Sequence, residues 1–200
     1  MALRRLSTSS IQTNGKSSKL WDQTTFQSGM FALATVTLTS TASSIVFSDI
    51  PANYTHLQIR MMARSTTAST QDGIKLVFNS DTTANYSNHD LWGNGSSVGS
   101  GALTGGSATY GRTFAITAAN ASASIFGVSI IDIVDYSSTS KTKSFRAITG
   151  NDQNGSGEVD LSSGNWRNSA NAISTISLSP VNGSTWASGT TAALYGIKVA

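Results

Sequence analysis

From residue 33 onward the chain alternates apolar and polar residues with a period of two, in short runs that continue nearly to its end. A strand sends successive side chains to opposite faces, whereas a helix gathers residues three and four apart, so this pattern commits the body to sheets. Ala34, Val36 and Leu38 alternate with Thr35, Thr37 and Thr39. In the next clear run Leu57, Ile59, Met61 and Ala63 point inward, and His56, Gln58, Arg60 and Arg64 point outward. Ile74, Leu76 and Phe78 mark another strand, Ile176 and Leu178 one that ends at Pro180, and Ala193, Tyr195, Ile197 and Val199 the last. The polar positions are mostly Ser, Thr and Asn, which compete with helical backbone hydrogen bonds. Short strands separated by Gly, Asn and Pro turn signals predict eight to ten strands and no helix. The expected fold is all-β, an antiparallel β-sandwich with jelly-roll topology.

Two stretches depart from simple alternation. Residues 125–134 are apolar in both sets, Ile125, Ile131 and Ile133 against Phe126, Val128, Ile130 and Val134. They predict a central strand covered on both faces, by the sandwich on one side and a partner chain on the other. Residues 79–111, with Tyr86, His89, Trp92 and a segment rich in Gly, Ser and Asn, read as the longest irregular stretch, and such loops are functional or mobile.

Residues 1–31 show neither period, which divides the chain into an extended N-terminal attachment arm (1–31) and a sandwich domain (32–200). Arg4, Arg5, Lys16 and Lys19 are four of the thirteen cations, and all precede the first acid, Asp22. From Asp22 onward nine cations face ten acids, nine of them in residues 32–200, so the body is close to neutral. Trp21 and Phe26 are large apolar groups set in polar sequence; they pack on the body's own sheet or anchor the arm on a neighbouring subunit. Arg4, Arg5, Trp21 and Phe26 are therefore the expected attachment residues. The body lacks the basic stripe with interleaved aromatics of a nucleic-acid binder, so no specific nucleic acid is expected. No run approaches the roughly 20 apolar residues that span a bilayer, so no membrane insertion is expected. The opening Met-Ala-Leu-Arg-Arg runs into Ser and Thr rather than an apolar core, unlike a secretory signal, which points to synthesis in a cytoplasm. With no cysteine there is no disulfide, thiolate zinc site or thiol nucleophile.

Residues 95–99 match the Gly-x-Ser-x-Gly nucleophile elbow, but no strand leads in and no helix leads out, so the match is compositional. His56 and His89 are the available histidine bases. Residues 152–157 resemble the opening half of a calcium loop, yet Ser163 stands where the closing Glu belongs, and a tight turn explains the same residues. No metal or other cofactor is expected. The acid pairs Glu158 with Asp160 and Asp132 with Asp135 suit solvated strand faces or salt bridges to Arg146 and Lys143. Trp92, Trp166 and Trp186 sit among Gly, Asn and Ser, a mixture that either stacks a sugar ring or plugs the end of a sandwich.

Residues 50–60 (Ile-Pro-Ala-Asn-Tyr-Thr-His-Leu-Gln-Ile-Arg), residues 85–95, Asn165-Trp166-Arg167-Asn168 and Ala193-Leu194-Tyr195-Gly196-Ile197 resemble β-sandwich structural modules of tailed-bacteriophage virions. The resemblance implies a non-enzymatic virion protein, made in the host cytoplasm and joined to other virion proteins by its arm. It implies a tail fibre or receptor-binding appendage, self-associated as a homotrimer. Host-surface glycans would then meet loops carrying Trp92, Asn94 and Trp166. The alternative within the same group is a capsid decoration protein that cements the head. A carbohydrate-active enzyme working through Glu158 and Asp160 is the rival from another class.

Overall fold

The computed structural model describes residues 29–183 and 185–198, which form two antiparallel sheets packed as a sandwich. The strands are β1 (Met30–Thr37), β2 (Ile45–Phe47), β3 (His56–Ala63), β4 (Gln71–Phe78), β5 (Tyr86–Gly93) and β6 (Val98–Ala108). They continue with β7 (Gly111–Thr117), β8 (Gly127–Val134), β9 (Lys143–Asp152), β10 (Gly157–Trp166), β11 (Ile176–Pro180) and β12 (Thr191–Ile197). Eight strands make the large sheet, in the order β1-β12-β3-β8-β9-β10-β5-β6, and four make the small one, β2-β11-β4-β7. No helix occurs among the described residues. Arg4, Arg5, Trp21 and Phe26 lie outside the described residues.

Alternation decides which face of each strand is buried. Leu57, Ile59, Met61 and Ala63 of β3, with Ile131 and Ile133 of β8, meet Ile74, Leu76 and Phe78 of β4 and Ile176 and Leu178 of β11 across the interior. An aromatic cluster fills the centre: Phe78 stands edge-on to Phe145 at 6.0 Å and lies 5.8 Å from Trp166 and 6.1 Å from Tyr86. Room for Phe145 comes from Gly111 and Gly164, where any Cβ would overlap its ring. Trp166, expected on an outward-facing loop, instead lies on β10 with no exposed surface. Its inward parity on β10 and its large apolar ring make it core, and its Nε1–H donates to Asp81 Oδ2 at 2.8 Å. Trp186 is equally buried and donates from Nε1 to the Leu178 carbonyl at 3.0 Å. Buried indoles normally find such an acceptor.

Lys143 corrects a second expectation. It faces inward on β9, fully buried, and donates from Nζ to the Asn168 carbonyl at 3.0 Å while lying 5.6 Å from the Trp166 ring. Burial pushes its pKa down. Arg146 does pair with an acid, Asp132, at 3.2 Å on the outer face. Arg64, at the end of β3, turns from the expected solvent position to grip the 118–125 loop. Its guanidinium donates to the carbonyls of Ser122 (2.8 Å), Ile125 (2.9 Å), Ala119 (3.1 Å) and Ala121 (2.8 Å).

Asp81 makes the fold acid-sensitive. Burial raises its pKa, but hydrogen bonds from Asn85, Thr83 and Trp166 outweigh that and hold it at about 2. A carboxylate whose folded pKa is depressed contributes stability above its unfolded pKa and loses it as pH falls through the folded one. Melting temperature should therefore drop between about pH 4 and pH 2, and Asp81→Asn should flatten that part of the profile, as followed by circular dichroism.

Candidate functional site: a cleft where the small sheet ends

The two sheets differ in width, and the difference creates the site. The small sheet stops at β7, while the large one continues past β10 to β5 and β6. The inward faces of β5 and β6 thus extend beyond the strands that would cover them. At this margin inward positions are polar: Asn88 is buried against β7, whose backbone it bonds, and Asp90 lies at the edge, where Leu or Ile would serve elsewhere. Residues 79–111, expected to be irregular, contain these two strands because a strand whose inward positions are Asn88 and Asp90 carries no hydrophobic alternation. They pair in register, Trp92 with Gly99 and Asp90 with Gly101.

A cleft of about 430 Å³ opens at this margin, lined by Gln71 and Asp72 of β4, Asp90 and Trp92 of β5, Phe114 of β7 and Glu158 of β10, with residues 69–70 and Asn182 at its rim. That volume suits a small ligand, since such sites span roughly 300–1,000 Å³. Two backbone features aim its aromatic walls. On β6, a Cβ at Gly99 would overlap the Trp92 indole and one at Gly101 would crowd the Asp90 carboxylate, so the two glycines leave room for both side chains. On β7, the pairing with β4 shifts between Asp72 and Ile74, and Ala115 has φ 64°. Bulges of this kind re-aim a side chain beside binding sites. Here the bulged segment supplies Phe114 and Ala115 to the lining, and Gly73 opposite has no space for a Cβ against Thr113 and Phe114.

Beneath the aromatic walls lies a buried polar layer. Asn88 braces β7 by donating from Nδ2 to the Arg112 carbonyl (2.8 Å) and accepting the Arg112 N–H on Oδ1 (3.1 Å). The Arg112 guanidinium lies 4.6 Å from the Phe114 ring and donates to Asp90 at 3.3 Å. Asp72 Oδ1 accepts from Gly73 N–H (2.7 Å) and from the Asn182 amide (2.8 Å), tying the rim to β4, and its other oxygen accepts from Thr67. Hydroxyls of Ser129, Thr149 and Thr113 form a chain with 2.7 and 2.8 Å links that ends on Asp160 at 3.1 Å.

The acid pair Glu158 and Asp160 is brought to one face of β10, with different fates. Asp160 is fully buried rather than solvated, because it faces inward among Thr113, Ser162 and the Phe114 amide, which all donate to it. Burial raises its pKa despite those donors. Glu158 lines the cleft, and its pKa is raised first by burial and then by the Asp160 charge. A glycosidase pair flanks the scissile bond. Asp160, closed off from solvent, cannot reach a bound sugar, so its carboxylate serves the scaffold.

Of the three residues expected to face a glycan, Trp92 lies half-buried in this cleft. Asn94 is exposed in the adjoining β5–β6 turn, where its Oδ1 accepts from the Ser96 (3.0 Å) and Ser97 (2.8 Å) amides. It borders a neighbouring depression of about 340 Å³ that shares Glu158. Trp166 belongs to the core. Phe114, Asp90, Asp72, Gln71 and Asn182 escaped the sequence reading; the Gly99-x-Gly101 spacing opposite Trp92 and Asp90 was the available signal. His56 and His89 stand outside the cleft: His56 Nδ1 accepts from the Asp135 amide at 3.0 Å, and His89 is exposed on the outer face of β5. Residues 152–157 form the β9–β10 hairpin turn, in which Asp152 accepts from the Asn154 amide at 2.8 Å and Gln153 N–H donates to the Ser156 carbonyl at 2.7 Å. Comparisons with protein-family models, curated proteins and solved structures find no match to this chain.

Proposed function

We propose that this chain is a non-enzymatic bacteriophage virion protein, a receptor-binding appendage of tail-fibre type that holds host-surface glycans in the Trp92 cleft. The segment before β1 would attach it to other virion proteins, with Arg4, Arg5, Trp21 and Phe26 as the contacts; Met30 and Phe31, expected in the arm, belong to β1, where Phe31 packs on Tyr54. The cleft carries the reading. Trp92 and Phe114 supply apolar faces on which a sugar ring can stack, and Gln71, Asn182, Asp90 and Glu158 surround them with hydrogen-bonding groups. Carbohydrate sites combine these two elements, because a pyranose has an apolar face and a hydroxyl rim. The resemblance of residues 50–60, 85–95, 165–168 and 193–197 to tailed-phage modules supports the virion assignment. The strand orders β2-β11-β4-β7 and β3-β8-β9-β10-β5-β6 suit an expanded jelly-roll in which β9 and β10 are an added hairpin.

Binding to host-surface polysaccharides, measured by calorimetry or on a glycan array, tests this. Trp92→Ala should weaken affinity by about 2 kcal/mol, roughly thirtyfold, with the melting temperature nearly unchanged. Gly99→Val, which pushes the indole from its place, should lower affinity comparably. Absence of glycan binding in the unaltered chain would overturn the reading. Loss of polysaccharide viscosity on incubation, abolished by Glu158→Gln, would instead make it an enzyme. Capsid decoration is the second reading, favoured by the apolar outer face of the large sheet, which suits a subunit packed among others. Hundreds of copies per particle would select decoration over a tail appendage.

A further inference from the structure

The outer face of the large sheet carries an apolar patch that the sandwich does not use. In one row Ile130, Ile148, Leu161 and Leu91 lie in direct register across β8, β9, β10 and β5. In the next row Met62 pairs with Val128, and Val159 and Val98 flank Gly93, across β3, β8, β10, β5 and β6. These eight side chains are 45–85 % exposed. Six adjacent strands are crossed, a span of about 24 Å at the usual interstrand spacing. Both glycines in the second row, Gly150 and Gly93, remove side chains and flatten the surface.

The area identifies the occupant. At these exposures the eight side chains present on the order of 700 Å² of apolar surface, above the roughly 300–600 Å² of the largest patch on an ordinary monomer. It approaches the ~800 Å² that each partner contributes to a standard protein interface. No charged side chain lies within the two rows except Arg60, at the β3 end of the first. The flanking row Gln58, Asp132, Arg146, Ser163 and His89 carries both signs, with Asp132 and Arg146 opposite one another. Such a surface is complementary to itself: apolar rows can meet apolar rows, and Arg146 of one copy can meet Asp132 of the other.

We infer that the outer face of the large sheet is a homodimer interface, covered by the same face of a second copy of this chain. The two sheets would pack about 10 Å apart, as inner sandwich layers do. A contact of one patch with itself is isologous and closes at two copies. This differs from the three-fold arrangement expected from the sequence, in which each face would meet two others at an angle. It does not depend on the glycan reading.

Sedimentation equilibrium of the full chain, across micromolar concentrations, tests the inference. The unaltered protein should show a dimer mass. Ile148→Lys with Leu161→Lys should weaken the dimer by about a hundredfold or more, because two lysines from each copy would face one another. Both positions are solvent-exposed in the protomer, so the circular dichroism spectrum and glycan affinity should stay unchanged, which separates dissociation from unfolding, while the melting temperature should lose its dependence on protein concentration. Ser144→Lys, on the same face outside the patch, should leave the dimer intact. A monomer, a trimer, or a dimer indifferent to the double substitution would overturn the proposal. So would a monomeric chain whose patch is protected from hydrogen exchange until residues 1–28 are deleted, since the arm would then be the occupant.

Discussion

Trp166→Ala is expected to lower the stability of the domain by about 4–5 kcal/mol, among the largest effects a single core truncation produces. The indole is fully buried against Phe78 and beneath Lys143, so its loss leaves a cavity that neighbouring strands cannot close without breaking register. It also removes the Nε1–H donor from Asp81, one of the three side-chain donors that hold that carboxyl at about 2. Urea denaturation measures the first effect. Acid titration measures the second: the Asp81 pKa should rise, and the acid-sensitive window should narrow toward the ordinary carboxylate value. Trp166→Phe keeps most of the ring but not the donor, and should cost nearer 1–3 kcal/mol. If Trp166→Ala melted like the unaltered protein and only lost glycan affinity, its placement in the core would be wrong.

Arg64→Ala should cost about 3 kcal/mol, equivalent to a fall of roughly 6–12 °C in melting temperature for a domain of this size. Four carbonyls of the 118–125 loop converge on one guanidinium, and no other side chain presents donors in a planar fork of that reach. The loop leads directly into β8 and contains Ser124 at φ 64°, a left-handed conformation that needs support from its surroundings. Arg64→Lys should recover only a small part of the loss, because an ammonium on a flexible stem cannot address four acceptors at once. Thermal unfolding of the two variants side by side checks this. Equal melting of the alanine variant and the unaltered chain would mean that water replaces the guanidinium at those carbonyls without cost.

Sheet architecture was legible wherever one face of a strand is apolar. Leu57, Ile59, Met61 and Ala63 are all buried, as their spacing indicates, and so are Ile74, Leu76 and Phe78. Even the doubly apolar run had meaning: Ile131 and Ile133 are buried in the sandwich, and Val128, Ile130 and Val134 lie on the outer face, 42–58 % exposed. The strands β5 and β6 were illegible because they lie past the edge of the small sheet, where inward positions carry Asn88, Asp90 and Trp92 instead of aliphatic residues. Arg64 and Lys143 misled for different reasons. Arg64 has outward parity and is redirected past the strand end by the carbonyls around it, whereas Lys143 shares the inward parity of Phe145 and Ala147 and its charge alone suggested an acidic partner.

The tryptophans separate the two kinds of information most clearly. Composition around Trp92, Trp166 and Trp186 is alike, so local sequence cannot rank them as ligand platform or core. Their position relative to the narrower sheet does: Trp166 and Trp186 lie beneath it, and Trp92 lies beyond its last strand. By itself the sequence determined the all-β class, most of the strand faces and the excess of apolar side chains in residues 125–134, because these follow from a local period of two. Tertiary structure alone decided the cleft and the flat apolar face, because each depends on sheet width and cross-strand register, which bring together residues far apart in the chain.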